Sequence, residues 1–269
     1  MECRSIITFV VCLLCSAYSL QAQEIPEELL EDEHFREEFG VNKLTTPSIR
    51  KIFEQIEKLG ELPYEDYKRD LPSSTPSDRT LLAMSLGGLI ADGFFIVYSK
   101  QTEGLEDIGR SLLKHAQSLS VGDQISAHVA PLLEHSGEGE WDELRNELAA
   151  TQRDVEIEMI HLRDVHMVHL IGFGGWLRAM EVACNASLDP FSTEKAEVLK
   201  RVDIVDYYET EFSYFAPNIQ EMDEIVQLRA LLEQLKAIYH AAEAGPLTEE
   251  QVKEMKAIVD QMTPLAFPS

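Results

Sequence analysis

The sequence is short of cysteine, of tryptophan and of positive charge. Of 269 residues, 4 are Cys and 2 are Trp, and 23 Lys and Arg face 48 Asp and Glu, a formal charge of −25. That balance argues against a nucleic-acid binder, because phosphate contacts need a basic face, and the same charge opposes anionic membrane surfaces. Cys3, Cys12 and Cys15 lie in or beside one apolar run near the start, leaving Cys184 alone. Once that leader is removed no intrachain disulfide can form, and stability must rest on a core that a chain of this size can build. There is no Cys-x-x-Cys pair for zinc, no Cys-x-x-Cys-His for haem, no phosphate-cradling glycine loop and no Gly-x-Ser-x-Gly elbow. Nor does any stretch alternate apolar and polar residues between hairpin turns, so strands are not needed.

What is present begins with an address. Arg4 and the chain amine precede an apolar run from Ile6 to Leu14, which small residues follow, the layout of a secretory signal peptide. Cleavage after Ala17, Ser19 or Ala22 assigns residues 1–22 to a leader and predicts a secreted or periplasmic protein that is not integral to the membrane once cleaved. Lipidation at Cys15 is the minor alternative, opposed by the bulk of Leu13 and Leu14. Residues 23–45 form an acidic lead-in: Glu24 to Phe39 carry eight acids and one base, Arg36. Residues 46–269 are expected to form one all-helical domain.

Helical spacing then recurs along the chain. Thr46 and Pro47 predict a helix start, Ile49, Ile52, Phe53, Ile56 and Leu59 form its apolar face, and Gly60 ends it. A second helix, Pro76 to Tyr98, holds a single charge, Asp92, between Leu81 and Tyr98. Apolar all round means buried; a membrane span is the rival reading. Further helices are expected at 103–119, 123–135, 140–184, 192–210, 218–243 and 248–262, the last opened by a Thr248/Gln251 capping box. The fold class is all-α, a helical bundle or repeat-like array around two central glycine-containing helices. A single helix over 140–184 would run about 68 Å, so a break is expected near Gly172 to Gly175, where each glycine costs about 1 kcal/mol relative to alanine.

Candidate site residues follow from these patterns. Gly87 and Gly88 in one helix, and Gly174 and Gly175 beside Trp176 in another, lie on ridges of small residues, Ala83-Gly87-Ala91 and Gly175-Ala179-Ala183. Such ridges let two backbones cross closely; the functional version leaves room there for a ligand. Asp92 needs a partner if buried, and Arg178 is the first candidate, with Arg79 or a histidine as alternatives. A second grouping, Glu158, His166 and His169, has some of the residue types of helical metal sites but lacks the second Glu-x-x-His step and the extra acids. Cys184, closing an apolar helical run, reads as a buried thiol. Together these point to an exported, non-enzymatic binding or interaction protein whose protein or small-molecule partner no motif names. The alternative is a metal- or cofactor-dependent helical protein, and no motif names a cofactor.

Overall fold

The computed structural model describes residues 48–242 and 245–268. The expected leader, the acidic lead-in and the expected Thr46–Pro47 start lie outside them. The described chain is helical throughout, with no β-strand among the described residues: α1 (Ile49–Ile56), α2 (Tyr64–Tyr67), α3 (Arg79–Tyr98), α4 (Leu105–Leu119), α5 (Gly122–Glu138), α6 (Trp141–His161), α7 (Val165–Leu188), α8 (Thr193–Ala196), α9 (Val202–Tyr214), α10 (Pro217–Gln220), α11 (Asp223–Ala241) and α12 (Glu249–Ala266). The caps are local and readable. Ser48 accepts from the Lys51 amide at α1, later than the Thr46 start expected from sequence. Asp78 accepts from the Thr80 and Leu81 amides at α3, and Thr248 and Gln251 close the expected capping box at α12. Gly60 stops the first helix with φ at +113°, a conformation that glycine adopts without a steric penalty.

The long α3 and α7 form the most intimate pair in the molecule, and the other helices wrap them. α1 lies across both, α12 covers α7, and α11 packs on α12 and α9. On the other side α4, α5 and α6 follow one another as antiparallel neighbours, with α4 and α6 against α3. α3 is long and apolar enough to cross a membrane, yet 94% of that stretch is buried inside the protein. A connected core runs from Ile49 to Ala266 through every layer.

The predicted break in the segment 140–184 is displaced. The helix ends at His161, the chain turns through Leu162 to Asp164 with Arg163 at φ +57°, and α7 then continues unbroken through Gly172, Gly174 and Gly175. The reason is tertiary: the glycine face is covered by α3, and close packing offsets the intrinsic cost of glycine in a helix. The segments 192–210 and 218–243 are likewise each divided, at 200–201 and at 221–222, into a short helix or turn and a longer helix.

Candidate functional site

At the α3–α7 crossing the backbones nearly touch. A β-carbon on Gly87 would lie 1.8 Å from the Ile171 carbonyl oxygen, and one on Gly174 would lie 2.0 Å from that of Met84. Gly175 makes room for the Ile49 side chain, 2.1 Å from its β-carbon position, while Gly88 makes room for Phe267 and the Arg69 guanidinium, at 2.6 and 2.7 Å. The space a ligand would need beside these glycines is therefore taken by the protein's own atoms. Trp176, 1% exposed, packs at a tilt against Phe173 and Tyr208, and the void beside it is about 20 Å³, room for a single water.

Next to the crossing, Asp92 and Arg178 are joined. Arg178 Nε donates to Asp92 Oδ1 at 2.6 Å, and the rest of the guanidinium donates to Glu181 at 2.8 Å and to the Tyr67 carbonyl at 2.7 Å. Sequence reasoning missed the third member. Arg69 Nε donates to Asp92 Oδ2 at 2.8 Å, and Arg69 Nη2 lies 2.7 Å from the same oxygen as a charge contact without hydrogen-bond geometry. Its guanidinium stacks 4.2 Å from the Phe267 ring centroid. Two arginines against Asp92 and Glu181 balance in charge, which is how four ionised groups can share a mostly buried site. Burial works against the Arg178 charge, but Asp92 and Glu181 outweigh it and raise its pKa above the ordinary arginine value. Arg79, the alternative partner, instead pairs with Asp164 at 2.8 Å and ties the start of α3 to the turn before α7. This cluster fastens the 67–69 segment onto α3 and α7.

The metal-ligand grouping is dispersed. Glu158 stays on α6 against His161 at 3.3 Å, His166 packs edge-on against Phe215, and His169 turns toward α9. There its Nδ1 lies 2.6 Å from the Tyr207 hydroxyl and its Nε2 lies 3.4 Å from Glu211. Burial and, secondarily, the charge of His166 push the His169 pKa down to about 4, so the ring is neutral at neutral pH. Burial raises the Glu211 carboxyl. No group of three or more His, Cys, Asp or Glu among the described residues is placed to hold a metal ion. Cys184 is fully buried, and burial pushes its thiol up to about 12, where it is inert.

The open chemistry lies elsewhere, between α4 and α5, where the sequence marked nothing. A cavity of about 210 Å³ opens there. α4 supplies Leu105, Ile108 and Leu112 to its wall, and α5 supplies Val129, Leu132 and Leu133. Leu148 of α6 and Gly93 of α3 form the floor, and the charged residues at the cavity are Glu106 and Arg110. Two glycines contribute to its shape. A β-carbon on Gly93 would come within 3.3 Å of Leu148, whereas one on Gly109, in the middle of α4, would meet nothing within 4 Å. A glycine in a helix interior costs about 1 kcal/mol relative to alanine, and at Gly109 no packing contact requires it. α5 is a loosely packed wall. Its fully buried residues are Ile125 and His128, Pro131 removes one backbone donor from its middle, and Leu133 is 51% exposed. His128 holds the wall in place from behind, between Glu147 at 2.6 Å and Asp154 at 3.1 Å on α6.

Comparison with protein-family models, curated proteins and solved structures gives no match for this chain.

Proposed function

We propose that this chain is an exported, non-enzymatic binding protein whose ligand is a small, mainly apolar molecule seated between α4 and α5. The observation that carries the reading is the apolar cavity of about 210 Å³ with Gly109 standing open in its wall. Elsewhere the glycine crossing is filled by backbone and the void beside Trp176 is small, while the wider cleft of about 540 Å³ between α11 and α12 is shallow and lined with Gln227, Gln234, Asp260 and Gln261. A dry apolar cavity of roughly 150 Å³ is enough to bind benzene, so this one can take a substituted ring or a short chain. The burial of Cys184 and the dispersal of Glu158, His166 and His169 favour binding over chemistry. The leader favours an exported site of action, and the charge of −25 favours a partner other than nucleic acid.

The test is titration with toluene and with indole, followed by the methyl NMR signals of the leucines and by the shift in melting temperature. Binding is expected in the parent, with perturbations confined to the lining leucines, Leu105, Leu112, Leu113, Leu132, Leu133 and Leu148. It is expected to be lost in Gly109→Leu and in Val129→Phe, two independent ways of filling the cavity. Perturbations centred on other residues, or binding undiminished in both variants, would overturn the reading.

A further inference from the structure

We infer that the ligand of this cavity is a cationic amphiphile, an apolar body of about six to ten carbons ending in one ammonium head that rests against Glu106 and Asp107 at the mouth. The inference rests on the apolar-ligand reading above and adds the head group to it. Glu106 and Arg110 are the polar residues of the lining, and both are exposed, so they stand at the rim. The interior offers no other polar side chain, and a charge placed there would be stripped of water with nothing to pair with. The body therefore goes in and the head stays at the mouth.

The charge at the mouth decides the sign of the head. In this cluster one guanidinium, Arg110, answers two carboxylates, Glu106 and Asp107, and all three side chains are exposed. Both acids lie in the first turn of α4, whose positive dipole end, about half a unit charge, offsets only part of the surplus. Exposed ion pairs hold weakly, so the two acids can turn to share a second cation at small cost. An ammonium head brings the cluster to two cations against two carboxylates. A carboxylate head would set three anions around one guanidinium, and a hydroxyl head leaves the surplus unanswered. The chain's charge of −25 acts in the same direction at longer range, drawing cations to the surface and repelling anions.

Calorimetric titration of the protein at neutral pH and low salt with octylammonium, n-octanol and octanoate tests this. Octylammonium is expected to bind about fivefold more tightly than octanol, as one exposed ion pair allows, and octanoate more weakly than either. Added salt should shrink the octylammonium advantage and leave octanol binding in place. The Glu106→Gln/Asp107→Asn double variant keeps most of the chain's net charge but turns the mouth cationic, and there octylammonium should fall to the octanol affinity or below it. Octanol or octanoate binding the parent as tightly as octylammonium, or an octylammonium advantage that survives the double variant, would overturn the head-group inference and leave the apolar-ligand reading standing. Gly109→Leu keeps every charge and fills the cavity, so it separates a seated ligand from a cation held only by the surface. If none of the three probes binds, or if Gly109→Leu leaves octylammonium and octanol binding unchanged, the cavity reading itself fails.

Discussion

A β-carbon on Gly87 would sit 1.8 Å from the Ile171 carbonyl oxygen, whereas a β-carbon on Gly109 would meet nothing within 4 Å. The same residue type brings two helices together at the α3–α7 crossing and leaves space unfilled at the α4–α5 cavity. At the crossing, glycine removes a steric obstacle and the helices gain contact along their length. At the cavity wall it removes a side chain that would otherwise fill space, and no contact replaces it. At the crossing the two backbones approach to contact; at the cavity side chains leave space unfilled.

The largest effect that sharpens the contrast is Gly87→Leu or Gly174→Leu. Overpacking a core typically costs about 1–3 kcal/mol through shifted side chains, but here the added atoms meet backbone carbonyls that cannot swing aside. Both variants are expected to lose at least that much and to be recovered largely unfolded, as read by circular dichroism and urea melts. Gly175→Leu is expected to be milder, because its obstacle is the end of the Ile49 side chain. Melting points of the Gly87 and Gly174 variants close to the parent's would dissolve the distinction between the two regions.

Breaking the ion cluster beside the crossing comes next. Asp92→Asn leaves Arg69 facing no carboxylate, while Arg178 retains Glu181. A cost of about 3–5 kcal/mol is expected from urea unfolding, typical of one partner removed from a buried pair. Arg178→Met should cost less, since Arg69 still neutralises Asp92. The double variant should cost less than the sum of the two, a positive coupling in a double-mutant cycle. Additivity within a few tenths of a kcal/mol would mean that Asp92 and Arg178 do not act as a pair.

How much of this was legible in the sequence depends on what each feature is made of. The α3–α7 pair was readable because an all-round apolar helix with a small-residue ridge has one place to go, the centre. Arg178 was readable as Asp92's partner because it is the one cation between His169 and Cys184. Arg69 was not, since it sits outside any helical period, in the loop after α2, and reaches Asp92 only through the tertiary fold. The break in the segment 140–184 was misplaced because helix propensity counts what glycine costs and not what α3 returns by packing on it; the real turn at Leu162 to Asp164 contains neither Gly nor Pro. The cavity left little mark, because the apolar positions of α4 and α5 carry the same pattern whether the space between them is filled or left open. The one clue was Gly109, a mid-helix glycine on no small-residue ridge.

The pH response of the core is a smaller effect of definite sign. His169 has its pKa pushed down to about 4 by burial, against an ordinary value near 6.5 when the chain is unfolded. Between those values the unfolded chain binds the extra proton, so this group's contribution is present above about pH 6.5 and is lost as pH falls toward 4. The full swing amounts to roughly 3 kcal/mol. Urea unfolding at a series of pH values should show His169→Gln with a shallower loss of stability across that window than the parent, the two curves converging toward its acid end. Parallel curves would mean that His169 titrates normally and that the α7–α9 contact is open to water.

The smallest expected effect carries the contrast most directly, because its sign differs from all the others. Gly109→Ala adds one methyl where nothing lies within 4 Å, so the substitution meets no steric resistance. It replaces the worst helix former short of proline with the best, and should stabilise the chain by about 0.5–1 kcal/mol. If binding is the reason the glycine stands there, the added methyl also takes volume from the ligand, and toluene or indole should bind the variant more weakly while the protein melts higher. That opposition, a firmer protein with a poorer site, is the outcome expected of a residue whose openness serves binding. A variant that melts lower would place Gly109 in a packed contact and make the cavity wall another version of the α3–α7 crossing. One that melts higher with unchanged affinity would keep the space but remove its use.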